Sequence, residues 1–481
     1  MKKIVFLISS LMIIGCSSTD KMKERENIIQ NKEKITKEIL KDNNVITLDE
    51  AINLSVNRNL DIKTKEIETQ IAKIDKQISF GNFLPTISLT YSRTLLNDKL
   101  RAKALDTDFE KLSGALGQIA PPPIANLIPT SLGARLMDKD FSIFSVNAQL
   151  PIFVPSTWFL YSARSKGENI SLLSKDLTVK MIKLKTIGQY YYILALESEN
   201  RYLQKEAEYS AKLEHNANLA LQTKSILPWE YQRVKVFHQM KNHALKQNEQ
   251  DLQLARIGLL NTLDLYPFSN IILEKPNANN MPNYTLDEAI YEALKSSELI
   301  SIREEAEGIN KDITKIAISN FLPKIVLTGG YVDTNAQVLE NSNFFMGTLG
   351  GLFTIFNGFK NVNEYRKARE MEKIAYIKKE QAITKVIFET VNAYNQLTTS
   401  KEEMEIAQNN FIASEGMLKQ KQLERDTGAI TDWEYIQNLS EFEKALSLKE
   451  KTEFKYRISL ATLEMLMGKS IFDKGENKDD K

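Results

Sequence analysis

The chain has 481 residues, of which 42% are hydrophobic and 26% charged, and its formal net charge is +1. A balance this close to neutral offers no bulk electrostatic case for nucleic acid, and no apolar run approaches the ~20 residues of a membrane-crossing helix. A single cysteine excludes an internal disulfide, and three histidines (His215, His238, His243) are too few and too poorly spaced for a zinc site.

The N-terminus reads as a targeting segment. Met1-Lys2-Lys3 is a basic start, Ile4 to Ile14 is a short apolar run, and Gly15-Cys16-Ser17-Ser18 comes next. Met12-Ile13-Ile14-Gly15-Cys16 resembles the lipobox of a bacterial lipoprotein signal, with residues 1–15 removed and Cys16 carrying the lipid. The alternative is an ordinary secretory signal that contains a cysteine. Ser17 after the cysteine resembles the pattern of lipoproteins sent to the outer membrane. Residues 16–46 are charged and poor in large apolar side chains, and read as a solvated spacer.

A repeat organises the rest of the chain. Thr47-Leu48-Asp49-Glu50-Ala51-Ile52 returns as Thr285-Leu286-Asp287-Glu288-Ala289-Ile290, and Phe83-Leu84-Pro85 returns as Phe321-Leu322-Pro323, both at an offset of 238. Each copy opens on a Thr-x-x-Glu capping box. In the first, a short helix runs to Leu60 and a second covers 62–80, with Ile67, Ile71, Ile74 and Ile78 at spacings of 4, 3 and 4. After Pro85 the period changes from 3.6 to 2. Ile87, Leu89 and Tyr91 alternate with Thr86, Ser88, Thr90 and Ser92, and a second strand alternates Phe144, Val146, Ala148 and Leu150 with Ser145, Asn147 and Gln149. Small uncharged residues opposite an apolar face suit a strand between lipid and a watery lumen. Roughly 95–140 forms a long external loop, with Pro121-Pro122-Pro123.

The second copy predicts strands over 324–334 and 344–356, with Ile325, Leu327 and Tyr331 on one face and Phe345, Leu349 and Phe353 toward lipid. Gly329-Gly330 and Gly350-Gly351 fall within these strands rather than between strand and helix. They read as close packing or a bend, not as phosphate loops.

A long helix comes after each strand pair, because all twelve prolines lie outside 156–227 and 357–481. About 68 helical residues would span roughly 100 Å. Each rod ends in a turn, Ser225-Ile226-Leu227-Pro228-Trp229-Glu230 in the first copy and Thr427-Gly428-Ala429-Ile430-Thr431-Asp432-Trp433-Glu434 in the second, before a return helix. The expected organisation is a first repeat over 47–265, a linker over 266–284, a second repeat over 285–467 and a disordered charged tail over 468–481. Four membrane-type strands cannot close a barrel, and open edges leave backbone groups unpaired in lipid. Several chains are therefore expected, and three would contribute about twelve strands.

The two Thr-Leu-x-Glu-Ala-Ile openings, the Phe-Leu-Pro junctions, the strand ends Pro151-Ile152-Phe153 and Thr354-Ile355-Phe356, and Gly428-Ala429-Ile430-Thr431 resemble the TolC-like outer-membrane efflux proteins along nearly all of the mature chain. The resemblance implies a mixed α/β membrane fold, in which a trimeric outer-membrane β-barrel with four strands per chain continues as a periplasmic α-helical barrel. It implies a passive export duct of a tripartite efflux or type I secretion system. Its expected partners are two further copies, a periplasmic adaptor (membrane fusion) protein, an inner-membrane transporter and outer-membrane lipid, with no nucleic acid and no cofactor. By resemblance Glu434 takes an acidic gate position at the periplasmic end, with Asp432 beside it and Glu230 as its first-copy counterpart. The competing reading makes Thr431-Asp432-Trp433-Glu434 simply a helix cap. Gly428, Trp433 and Trp229 are candidates for adaptor docking, against hairpin packing for the tryptophans. Lys224 stands where the second copy has Gly428, and Asn59-Leu60 where Asn-Pro is common. Trp158 reads as an interfacial aromatic or a packing residue, and His238 and His243 as solvated. No catalytic or metal constellation is expected. The rival to a channel is a structural or adhesive coiled-coil lipoprotein without a pore.

Overall fold

The computed structural model describes residues 18–40, 44–97, 100–101, 135–137, 139–276, 282–335 and 341–469. The signal segment with Cys16, most of the long loop, part of the linker and the tail beyond Lys469 lie outside the described residues. In chain order come helix α1 (Ser18–Leu40), strand β1 (Val45–Ile46), helices α2 (Leu48–Arg58) and α3 (Leu60–Gly81), and strands β2 (Thr86–Leu95), β3 (Leu100–Arg101), β4 (Arg135–Met137) and β5 (Asp140–Phe153). Helices α4 (Pro155–Gln222) and α5 (Pro228–Thr262) close the first repeat. Strand β6 (Ile272–Leu273), helices α6 (Leu286–Ser296) and α7 (Glu298–Ser319), strands β7 (Lys324–Thr334) and β8 (Asn343–Leu352), and helices α8 (Lys360–Asp426) and α9 (Asp432–Leu466) complete the series. No helix among the described residues is long and apolar enough to cross a membrane.

The duplication extends to element lengths. Helices α2 and α6 have 11 residues each, α3 and α7 have 22 each, and their starts keep the offset of 238. Helices α5 and α9 have 35 residues each, at an offset of 204. The offset shortens between the two strands of each pair, where only the first copy carries the long loop.

The compact units cut across the repeats. One comprises residues 1–70, 169–304 and 377–481, and the other 71–168 and 305–376, so each takes part of both copies. In the first unit, Ile187, Tyr190, Ile193, Leu259, Leu260, Leu263 and Ile271 form the most buried core. The Tyr190 hydroxyl lies 2.6 Å from the Glu274 carbonyl and 2.9 Å from that of Ile46. It thereby fastens the parallel pair β1·β6, which joins the chain before the first repeat to the linker before the second. Residues 18–40, part of the stretch whose composition is that of a solvated spacer, form a helix. The reason is at the helix end: the Tyr266 amide donates to Thr36 Oγ1 (2.8 Å), Lys32 Nζ meets the Asp264 carboxylate (2.5 Å), and Thr36 and Leu40 are buried.

Local chemistry explains the shared helix starts. Thr47 accepts from the Glu50 amide (3.2 Å) while Glu50 accepts from the Thr47 amide (2.9 Å), a complete capping box. The second copy keeps one leg only, Glu288 N–H to Thr285 Oγ1 at 3.3 Å, because the Glu288 carboxylate turns toward Lys469 Nζ (3.4 Å). Asn59 separates α2 from α3. Its Oδ1 accepts from the Asp61 amide (2.9 Å) and its Nδ2 donates to the Thr262 carbonyl (2.9 Å). It thus caps one helix and ties it to the end of another.

The second unit contains the antiparallel sheet β2-β5-β7-β8. Register aligns Leu89 with Val146, Val146 with Tyr331, and Tyr331 with Phe345. Because side chains alternate along a strand, these residues share one face, and Ile87, Ala148, Leu327 and Leu349 lie on it too. The Tyr331 and Phe345 rings sit 4.9 Å apart. The opposite face is hydroxyl- and amide-rich in β2 and β5, but β8 places Phe344 and Met346 there, so the polar face is less uniform than the first copy suggested. Strand β8 stops at Leu352, so Thr354-Ile355-Phe356 lies beyond it. At Gly330 an added Cβ would come within 2.9 Å of Asn147 Oδ1, so this glycine answers a close approach. Strands β2 and β8 are the sheet's edges, and no described strand pairs with their outer sides.

Candidate functional site at the hairpin turns

Both long helices end in the same backbone device. In the first hairpin the Ser225 amide donates to the Ala220 carbonyl (2.7 Å) and the Lys224 amide to that of Leu221 (3.0 Å). In the second the Ala429 amide donates to Glu424 (2.8 Å) and the Gly428 amide to Arg425 (2.9 Å). This is a Schellman ending, whose first residue past the cap is left-handed. Gly428 takes φ +75 without steric cost, while Lys224 takes φ +58 with a Cβ. Lys224→Gly should therefore raise stability by about 1 kcal/mol, and Gly428→Ala should lower it by a similar amount. Thermal unfolding of the two variants against the wild type reads this directly; shifts of the same sign would contradict it.

The return helices then start differently. At the second turn the Thr431 amide and hydroxyl both donate to Glu434 Oε2 (2.8 Å each), and the Glu434 amide donates to Thr431 Oγ1 (3.4 Å). The Thr431 hydrogen bonds hold the Glu434 carboxyl below the usual range. Glu434 is therefore a helix cap, and its carboxylate is ionised at neutral pH. Asp432 does not share that cap. It forms an ion pair with Arg425 (2.7 Å) across the turn, and the Arg425 guanidinium lies 4.7 Å from the Tyr435 ring centre. Beside them Lys421 and Gln420 hold the Glu424 carboxyl below its ordinary value.

At the first turn Leu227 has no side-chain acceptor, so only half a box forms: the Leu227 amide donates to Glu230 Oε2 (2.8 Å). Pro228 occupies the first helical position, where no amide hydrogen is needed. The residues matching Arg425 and Asp432 are Leu221 and Pro228, so this turn has no bridging ion pair. It exposes Leu227 and Trp229, whereas Trp433 is half-buried. One turn is thus apolar at its tip, the other charged. Arg425 went unseen in the sequence because its partner lies seven residues on, across a turn whose geometry no periodicity encodes.

One other reading changes, and Trp158 keeps both of its readings. His238 is half-buried rather than solvated, with Nδ1 2.9 Å from Ser210 Oγ and Nε2 2.9 Å from Asn242 Nδ2. Trp158 is half-exposed and packs edge-on against Phe153, with ring centres 5.6 Å apart.

The family described as outer membrane efflux protein matches residues 309–469, from within α7 to the end of the second repeat. No curated protein matches the sequence. Solved structures share the fold. The Campylobacter jejuni CmeC outer membrane channel is 14% identical, with a TM-score of 0.69 over 88% of this chain and 85% of that one. The Vibrio cholerae outer membrane protein VceC is 11% identical, with a TM-score of 0.65 over 88% and 97%. The Neisseria gonorrhoeae MtrE outer membrane channel, in its open state, is 13% identical, with a TM-score of 0.63 over 88% and 89%. The second repeat thus carries the sequence pattern of the outer membrane efflux protein family, and the chain shares the fold of these outer membrane channels over 88% of its length.

Proposed function

We propose that the protein is the outer-membrane component of a tripartite export system, a passive duct that a periplasmic adaptor opens and an inner-membrane transporter drives. The observation that carries this is the sheet. It is apolar along one face, and each edge is a strand of ten residues whose outer side no described strand pairs. Such edges are untenable in lipid. The strands alternate in direction, so β8 of one chain runs antiparallel to β2 of the next, and head-to-tail closure of three chains gives twelve strands. Cys16 would carry the lipid and anchor each chain in the outer membrane.

The turns would form the periplasmic end of the duct. Glu434 acts there both as cap and as fixed negative charge, since one carboxylate oxygen holds the helix start. Asp432 is balanced by Arg425. Glu230 lies at the other turn, where Leu227 and Trp229 offer an apolar contact for the adaptor, with Gly428 and Trp433 its counterparts on the second. Planar-bilayer recording should show a mostly closed, cation-preferring pore. Glu434→Gln should reduce cation selectivity and Arg425→Ala should increase it, with Asp432→Asn acting in the sense of Glu434→Gln. Well-folded trimers that conduct nothing would refute the channel.

A further inference from the structure

The first compact unit contains the place where α9 ends and α7 begins, between the rods α4 and α8. Its counterpart in the first repeat, where α5 ends and α3 begins, is bridged by one side chain. There Asn59 caps α3 and also donates to the Thr262 carbonyl at the end of α5 (2.9 Å). The offsets of 238 and 204 carry Asn59 onto Ser297 and Thr262 onto Leu466. Ser297 caps its own helix, its Oγ accepting from the Ile300 amide (3.4 Å), and it has no side-chain amide to donate to Leu466. A cavity of about 430 Å³ lies at this junction, and Ser297 and Leu466 are part of its lining.

Helices α4, α7, α8 and α9 of one chain supply the walls. The body of the cavity is apolar, with Leu177 and Met181 from α4, Val386 from α8, and Met465 from α9. The two methionines give a wall that can reshape around its occupant. The charges in the lining cancel in pairs: Lys180 Nζ meets the Glu298 carboxylate, and Lys385 lies 3.6 Å from Glu389. An ion entering here would lose hydration and find no unpaired countercharge. Two amides complete the lining. Gln396 Nε2 donates to Asn392 Oδ1 (3.4 Å), which leaves the Asn392 amide hydrogens and Gln396 Oε1 to serve a ligand. An apolar cavity of this volume with a few placed polar groups has the form of a small-molecule site.

The cavity's side of the rods follows from helix geometry. Met181 is nine residues before Tyr190, half a turn around α4 from the side that holds β1·β6. Met465 is two residues from both Leu463 and Met467, which pack with Ala289 of α6, so it faces away from that helix. Strands β1·β6 and helix α6 thus lie on one side of the rods, and the cavity opens on the other. In a closed ring of rods such a second layer has room only outside, which puts the cavity on the inner wall.

We propose that this cavity binds a small, uncharged lipophile carrying one hydrogen-bonding group, such as an aryl ketone or an aryl alcohol, on the inner wall of the duct. The site belongs to the single chain; its facing the lumen rests on the duct reading above.

The probe is benzophenone, a neutral aryl ketone that inserts into nearby C–H bonds on irradiation and favours methionine. Irradiated with the protein in detergent, it should label Met181 and Met465 saturably, as read by peptide mass spectrometry. Diphenylmethanol, neutral and inert to the light used, should compete that label away in the wild type. Leu177→Trp, which fills the cavity, should cut the labelling about tenfold or more. Leu172→Trp, on the same helix outside the lining, should leave it unchanged. Benzophenones bearing a carboxylate or a trimethylammonium group should label both methionines about tenfold less. Folded wild type that labels at neither methionine, or whose label diphenylmethanol does not displace, overturns the site, as does undiminished labelling of Leu177→Trp. Equal labelling by the charged probes overturns the ligand class. Planar-bilayer recording separates the site from the duct. A conducting pore without saturable labelling loses the site and keeps the duct, and labelled protein that never conducts keeps the site and loses its inner-wall placement.

Discussion

Tyr190→Ala is expected to cost about 4 kcal/mol, in the range for removing a large aromatic from a core. The ring is fully buried, lies edge-on to Tyr191 with centres 6.2 Å apart, and belongs to the main core of the first unit. Its hydroxyl shares one hydrogen between two carbonyls, those of Glu274 and Ile46. Burial pushes the phenol up from its ordinary value, so it stays a neutral donor through the physiological range. Tyr190→Phe keeps the ring and should lose only about 1 kcal/mol, the usual net value of one hydrogen bond. Guanidinium unfolding in detergent, monitored by circular dichroism, measures both. Equal losses from the two variants would show that the hydrogen bond, not packing, dominates. The consequence reaches beyond α4, because β1·β6 joins the chain before the first repeat to the linker before the second.

The second large effect is expected at the other end of the chain. Gly468→Ala should cost about 3 kcal/mol, from about 1–2 kcal/mol for a left-handed residue with a Cβ and a further ~1–3 kcal/mol for overpacking. Gly468 has φ +68, and an added Cβ would collide with Ser296 Oγ and sit 2.5 Å from the Ser296 Cβ. It also ends α9 with a Schellman pair: the Lys469 amide to the Glu464 carbonyl (2.9 Å) and the Gly468 amide to that of Met465 (3.1 Å). The first repeat meets the same demand differently. There Asp264 is left-handed at φ +54, and Arg58, the counterpart of Ser296, donates to the Asp264 carbonyl (3.1 Å). Gly468→Ala with Ser296→Gly should recover the overpacking part and leave the backbone part. No recovery in thermal unfolding would show that Ser296 is not the obstacle.

Gly468 also marks where reading residues in order falls short. Its place at the head of a charged stretch suggested a disordered tail, yet it caps the last helix, because the contact that demands glycine comes from a residue 172 positions earlier. The same holds for 18–40. Their composition is that of a solvated spacer, and contacts from Asp264 and Tyr266 hold the helix end. At the turns, Glu434 was legible as both cap and charge, since a capping box is local. Arg425 was not, since its pairing with Asp432 needs the turn's geometry.

What the sequence determined by itself was the set of local elements and their duplication. Caps, prolines and the change of period from 3.6 to 2 act over a few residues, so they place the helix-to-strand junctions at Pro85 and Pro323 and identify the apolar face of each strand. Only the tertiary structure decided which faces are satisfied within a chain. The stripe Ile67–Ile71–Ile74–Ile78 reads as the apolar face of a helix by its spacing alone, and it stays open in the single chain. The reason is packing: α4 gives one side to α3, through Glu168 and Lys76, and the other to α7, through Lys166 and Asp312, which leaves the isoleucine side of α3 open. Periodicity says that a face is apolar, and only the packing of the whole chain says whether that face is already covered.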